Sequence, residues 1–193
     1  MLRPFYDWTL RVAGDRRADW WLALVAFVES SVFPIPPDVM IVPMVLADRR
    51  RAWRIATIAT IASVAGGMLG YAIGSLFFDA IGRPILDLYG YADKFADFAA
   101  RYNDWGAWIV FGAGITPFPY KVITIASGVT RLDLLVFIVA SVLARALRFF
   151  VVAGLLWQFG PSIRRLLERY LGPITVIFFV LLVGGFVALN YIV

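Results

Sequence analysis

Residues Phe27–Met44 read FVESSVFPIPPDVMIVPM, an apolar run broken midway by Glu29, Ser30, Ser31, Pro34, Pro36, Pro37 and Asp38. A spanning helix tolerates these residues poorly. Each proline removes a backbone N–H, and a carboxylate at bilayer depth costs about 3 kcal/mol. The stretch therefore reads as a broken, protein-lined segment of a membrane protein.

The rest of the chain supports that medium. Of its 193 residues, 62% are hydrophobic and only 16% charged, and the mean hydropathy is +0.82. A soluble helical domain with an oversized core is the bland alternative, and such a composition lies well outside soluble averages. The absence of cysteine and histidine excludes disulfides, thiol nucleophiles, histidine acid–base chemistry and Cys/His metal sites. A net charge of +5 reads as arginines at a lipid surface rather than a nucleic-acid footprint.

Outward from the broken stretch, residues 1–20 mix four arginines with three aspartates and end at Trp20-Trp21. They predict a retained interfacial helix, since a cleavable signal would place its basic residues directly before an apolar core. Residues 21–47 carry the broken stretch with basic clusters on both sides, Arg16-Arg17 before and Arg49, Arg50, Arg51 and Arg54 after. A re-entrant hairpin that enters and leaves on the cytoplasmic side satisfies the positive-inside bias.

Residues 55–78 form an uncharged run long enough to span. Gly66, Gly70 and Gly74 lie on one stripe of that helix, where they permit close approach of a neighbouring backbone. Residues 79–104 are acidic on balance and alternate charges with aromatics, so they predict an external, amphipathic interfacial segment. Residues 105–128 then repeat the opening theme: ITPFPYK at 115–121 answers VFPIPPD at 32–38, with Pro117 and Pro119 as its breaks and Lys121 opposite Asp38. Proline-broken apolar segments in corresponding halves point to an inverted repeat with a site at the repeat interface. The spans that follow agree, since ASVAGGMLGY begins at Ala62 and ASVLARALRF at Ala140.

A second long span is expected over 131–159, with Arg145 and Arg148 one turn apart on one face. Arg145, 12 residues past Asp133, falls about 18 Å along that helix, near mid-bilayer. Residues 161–193 supply a basic cytoplasmic loop and a final apolar run. The fold class is thus an all-α polytopic membrane protein. It has three full transmembrane helices, two proline-broken re-entrant hairpins in an inverted-repeat arrangement, interfacial amphipathic helices and a cytoplasmic N-terminus.

Glu29, Asp38, Lys121, Arg145 and Arg148 are the buried ionisable set. One reading is a structural network that holds the hairpins together. The functional reading has the three cations attract a lipid phosphate, while the carboxylates neutralise them in its absence or accept protons. Ser30, Ser31 and Thr116 are candidate wall residues. Catalysis is not expected, because a serine beside Glu29 lacks a further partner and no metal or cofactor set is present.

The segments VESSVFPIPPDVMIVPM, GGMLGYAIG and GITPFPYKVITIASG resemble the DedA family, also called the SNARE-associated or VTT-domain superfamily, and in particular its short YqaA-like branch. The resemblance covers roughly residues 20–160. It implies a half-transporter with two opposed re-entrant hairpins in the bacterial inner membrane. The implied work is transbilayer movement of lipids such as undecaprenyl phosphate or phosphatidylethanolamine, with links to the proton motive force and envelope integrity. The family's acidic pair corresponds to Glu29 and Asp38. Its second-hairpin ending corresponds to Lys121 and Ser127-Gly128. The first arginine of that hairpin has no counterpart near Gly114 and Ile115, and Arg145 or Arg148 is its candidate replacement. The expected partners are membrane lipids, anionic or phosphate-bearing, with protons as a candidate coupled ion and no nucleic acid. The alternative function is a non-transporting, membrane-organising protein that supports the envelope.

Overall fold

A computed structural model of the chain describes residues 17–31, 36–116 and 118–160. The expected interfacial helix falls almost wholly outside these residues, as do the final apolar run and the breaks at Pro34 and Pro117. The described residues are helical: α1 (Ala18–Ser31), α2 (Asp38–Ala47), α3 (Ala52–Phe77), α4 (Arg83–Tyr89), α5 (Ala92–Asp104), α6 (Gly106–Ile115), α7 (Tyr120–Val129) and α8 (Leu134–Gly160).

Among the described residues, two helical stretches are long and apolar enough to cross a bilayer. One runs from Arg49 through α3 to Tyr89, and the other is α8. The first passes Phe78, where the sequence suggested a boundary, through a widened π-turn at Phe78–Gly82. That turn lies just ahead of Pro84, whose ring would meet the Ala80 carbonyl and which offers it no N–H. The helix stops only at Gly90, whose φ of +68° suits a residue without Cβ.

By contrast α1, α2, α6 and α7 have 14, 10, 10 and 10 residues, and each is about 15–21 Å long, too short to cross a hydrocarbon core. Their ends have local causes. Pro37 and Pro119 occupy the N-caps of α2 and α7, where a missing N–H costs nothing. Thr116, directly before a proline, is extended at ψ 166° and ends α6.

The two ends of each short-helix pair lie together. Asp19, at the start of α1, pairs with Arg51 at 2.7 Å and Arg54 at 2.8 Å, just beyond α2. Asn103 and Tyr102, at the end of α5, bond the Thr130 carbonyl at 2.9 Å and the Ser127 hydroxyl at 3.1 Å, at the end of α7. Arg131 pairs with Asp79 across 2.5 Å at the far end of α3. The two pairs therefore start from opposite ends of α3 and reach inward.

The packing follows small residues. A methyl on Gly66 would overlap the Phe27 carbonyl of α1, one on Gly74 the Ile125 carbonyl of α7, and one on Gly128 the Tyr71 carbonyl of α3. Two apolar clusters result. One joins Leu22, Ile41, Val45, Ile55, Phe149 and Leu156; the other joins Val110, Tyr120, Leu132 and Phe137. Outward, Leu135, Val139, Leu143, Leu147, Val151 and Leu155 form an exposed ridge along α8. An apolar ridge of that length facing outward is what lipid contact requires, and the protein is a membrane-embedded bundle of helices.

Candidate functional site

Between the two apolar clusters lies a polar layer. Ser30, Ser63, Thr124, Ser127, Ser141 and Arg145 are all fully buried. Its centre is the last turn of α1, where a helix leaves carbonyls without partners. The Thr124 hydroxyl donates to the Ser30 carbonyl at 3.2 Å, tying α1 to α7. The Ser30 and Ser63 hydroxyls share a hydrogen bond of 2.6 Å, tying α1 to α3. Ser31 bonds back to the Phe27 and Val28 carbonyls.

Arg145 projects from α8 into this layer. Its Nη2 donates to Glu29 Oε2 at 2.6 Å and to Ser30 Oγ at 3.0 Å. The guanidinium carbon sits 4.1 Å from the centre of the Tyr120 ring and 5.4 Å from that of Phe149. The side chain is only 1% exposed, whereas Glu29 is 17% exposed. The guanidinium is thus enclosed by an anion, a hydroxyl and two ring faces, with its buried Nε lacking a hydrogen-bond partner among the described residues.

One turn on, Arg148 is placed differently. Its Nη2 donates to Asp38 Oδ2 at 2.6 Å and its Nη1 to the Thr116 carbonyl at 3.1 Å. Asp38 opens α2, where the helix N-terminus favours a carboxylate, and Thr116 closes α6. Arg148 thus clasps the inner ends of both short-helix pairs. The pair is half-open, with side-chain exposures of 21% and 27%. Asp38 Oδ1 is buried with no hydrogen-bond partner among the described residues. A guanidinium has five N–H donors in a planar fork, so the remainder can be offered to an incoming oxyanion.

The structure divides the ionisable residues singled out by sequence. Glu29 goes with Arg145 and Asp38 with Arg148. Lys121 stands in the first turn of α7, half-buried, and its carbonyl, 2.9 Å from the Thr124 hydroxyl, shares that single donor with the Ser30 carbonyl. Gly66, Gly70, Gly74 and Gly128 lie at the backbone approaches, and Pro36, Pro37 and Pro119 lie beside the helix starts. Sequence reasoning missed Tyr120, Ser63 and Thr124. Tyr120 stood in plain view before Lys121, but nothing in its local pattern marks a ring as the face that an arginine from α8 will cover. Among the described residues, no group of three or more His, Cys, Asp or Glu could hold a metal ion.

The VTT domain family model matches residues 33–158, more than half of the chain. An uncharacterised protein of Haemophilus influenzae is 38% identical over 167 residues, covering 84% of this chain and 86% of that protein. An uncharacterised HI0703 homolog of Histophilus somni is 36% identical over 167 residues, covering 84% and 87%. No solved structure matches the chain. With a family match over residues 33–158, which takes in both long apolar helices and three of the four short ones, and relatives 36–38% identical over most of their length, the chain belongs to the VTT-domain family.

Proposed function

We propose that the protein moves a phosphate-bearing lipid, a polyprenyl phosphate or a glycerophospholipid, across the bacterial inner membrane. In this reading α1–α2 and α6–α7 are opposed re-entrant hairpins, three helices cross the bilayer and the N-terminus is cytoplasmic, as in the short YqaA-like branch. The observation that carries it is the half-open Arg148–Asp38 pair, which joins both hairpins. A lipid phosphate arriving at Arg148 replaces the Asp38 carboxylate, one anion for another, so the cation is never left bare. Asp38, released, turns to water or takes a proton, which gives a route for protons to couple to lipid movement. Arg145 and Glu29 stay closed beneath as the fixed floor of the site.

The test is transbilayer movement of labelled polyprenyl phosphate and phosphatidylethanolamine in proteoliposomes of the purified protein, with and without a pH gradient, for wild type and Arg148→Ala. Movement of one lipid that Arg148→Ala abolishes while remaining folded is the expected result. No movement of either lipid by folded wild-type protein overturns the proposal for those substrates. It would transfer the charge layer to a purely architectural role in a membrane-organising protein.

A further inference from the structure

At the basic end of the bundle, away from the charge layer, lies a cavity of about 530 Å³ between the turn after α2 and the end of α8. Its walls include Leu46, Asp48, Arg49, Arg50, Trp157 and Gln158, so two guanidinium groups face one carboxylate and the lining carries a net positive charge. We propose that this pocket holds the phosphate headgroup of an anionic glycerophospholipid drawn from the adjoining leaflet. The site is separate from Arg148 and owes nothing to lipid movement there.

Charge and shape both support it. Four arginines cluster at residues 49–54, and the structure sorts them into two kinds. Arg51 and Arg54 share the Asp19 carboxylate. Arg49 and Arg50, in the pocket wall, form no ion pair with a carboxylate among the described residues. The Asp48 carboxylate in the same wall pairs with neither arginine; its Oδ1 accepts the Arg50 backbone N–H at 3.0 Å and closes the short turn. Arg49, though exposed, is anchored to α8, because its Nη1 donates to the Trp157 carbonyl at 3.1 Å. Gly160 makes room for its stem, since a Cβ there would lie 3.1 Å from Arg49 Cδ and 3.3 Å from Leu46 Cδ2. One N–H of Arg49 is spent on Trp157, and its other donors with those of Arg50 supply the forked geometry that matches a phosphate.

The depth is marked independently by aromatic residues. The Trp157 ring lies 6.2 Å from that of Trp53, which stacks in turn on Phe150 at 5.9 Å. Tryptophans collect at the level of lipid headgroups, so the pocket opens where phosphates lie. A basic pocket between helices at that level selects anionic headgroups over zwitterionic ones.

The experiment is native mass spectrometry of the purified full chain with phosphatidylglycerol against phosphatidylcholine of identical acyl chains. Wild type is compared with Arg49→Gln/Arg50→Gln and with Arg83→Gln, which removes an exposed arginine at the other end of the bundle. Wild type is expected to retain phosphatidylglycerol preferentially, the double variant to lose about 30-fold in that preference, and Arg83→Gln to keep it. Matching elution volumes and lipid-free melting temperatures establish that the variants are folded. Equal retention of both lipids by wild type, or an undiminished preference in the folded double variant, overturns the proposal. Inorganic phosphate in excess is expected to leave the lipid bound. Displacement by phosphate alone would make this a free-phosphate site and overturn the lipid assignment.

Discussion

Neutralising Glu29 should destabilise the protein far more than neutralising Asp38, although each carboxylate makes one 2.6 Å ion pair. The difference lies in what remains behind. Glu29→Gln leaves the Arg145 guanidinium, whose side chain is 1% exposed, with no anion in reach. Removing one partner of a buried pair costs about 3–5 kcal/mol. The amide oxygen keeps an acceptor for Nη2 and for the Ser30 hydroxyl, which offsets about 1 kcal/mol. The net loss is about 2–4 kcal/mol. Asp38→Asn leaves Arg148 with the Thr116 carbonyl and with 21% of its side chain open to water or headgroups, and its loss should be about 1 kcal/mol. With a melting shift of about 2–4 °C per kcal/mol for a chain of this size, Glu29→Gln should melt about 4–16 °C below wild type and Asp38→Asn about 2–4 °C below. The assay is the thermal midpoint followed by size-exclusion fluorescence in detergent, completed by Glu29→Gln/Arg145→Gln. Removal of both charges together should be milder than the two single losses combined. A Glu29→Gln midpoint equal to wild type, or a larger loss for Asp38→Asn, would refute the distinction between a sealed and an open pair.

Further outcomes follow from packing and geometry. Gly74→Ala places a methyl on the Ile125 backbone and should cost about 1–3 kcal/mol; Gly112→Ala meets nothing within 4 Å and should stabilise α6 by up to about 1 kcal/mol, both read as detergent melting shifts. Thr124→Val removes the hydroxyl that satisfies the Ser30 carbonyl at 3.2 Å and should cost about 1–3 kcal/mol; a midpoint unchanged from wild type would show that the bond between α1 and α7 contributes nothing. Arg131 is the described non-glycine residue with φ of +54°, and its pair with Asp79 is 55% and 44% exposed. Arg131→Gly should therefore melt at or slightly above wild type, because about 1 kcal/mol of backbone strain is relieved against a surface pair worth less than about 1 kcal/mol. A drop of more than a few degrees would mean the pair matters more than its exposure allows.

Apolar run length and the sign of the charges between runs are local properties, so the helical, membrane-embedded class and the family resemblance could be read from the sequence alone. The pairing within the charge layer could not. Arg145 and Arg148 share one helix face, and nothing local tells which carboxylate each will meet. That choice is made by how far α1 runs before it ends and by where α2 begins again. The reach of the helix past Phe78 was hidden for another reason. Asp79, Arg83 and Pro84 imitate a loop, but a widened turn absorbs the proline and the helix continues to Gly90. Tyr120 belongs to the same class of hidden residue, since its role is fixed by a partner 25 positions away.

The clasp has a consequence for biogenesis. Glu29 and Asp38 find their cations 116 and 110 residues later in the chain. At synthesis rates of about 5–20 residues per second, the first carboxylates wait about 5–23 s before α8 exists. Through that interval the α1–α2 segment has no guanidinium to neutralise it, so it should enter the bilayer with its carboxylates protonated or should remain near the surface. The expectation is that ribosome-tethered chains halted before residue 140 leave Asp38 accessible to water-soluble carboxylate reagents, and that chains released past residue 160 do not. Equal accessibility in both would mean that insertion of the first segment is complete before its counter-charges are made.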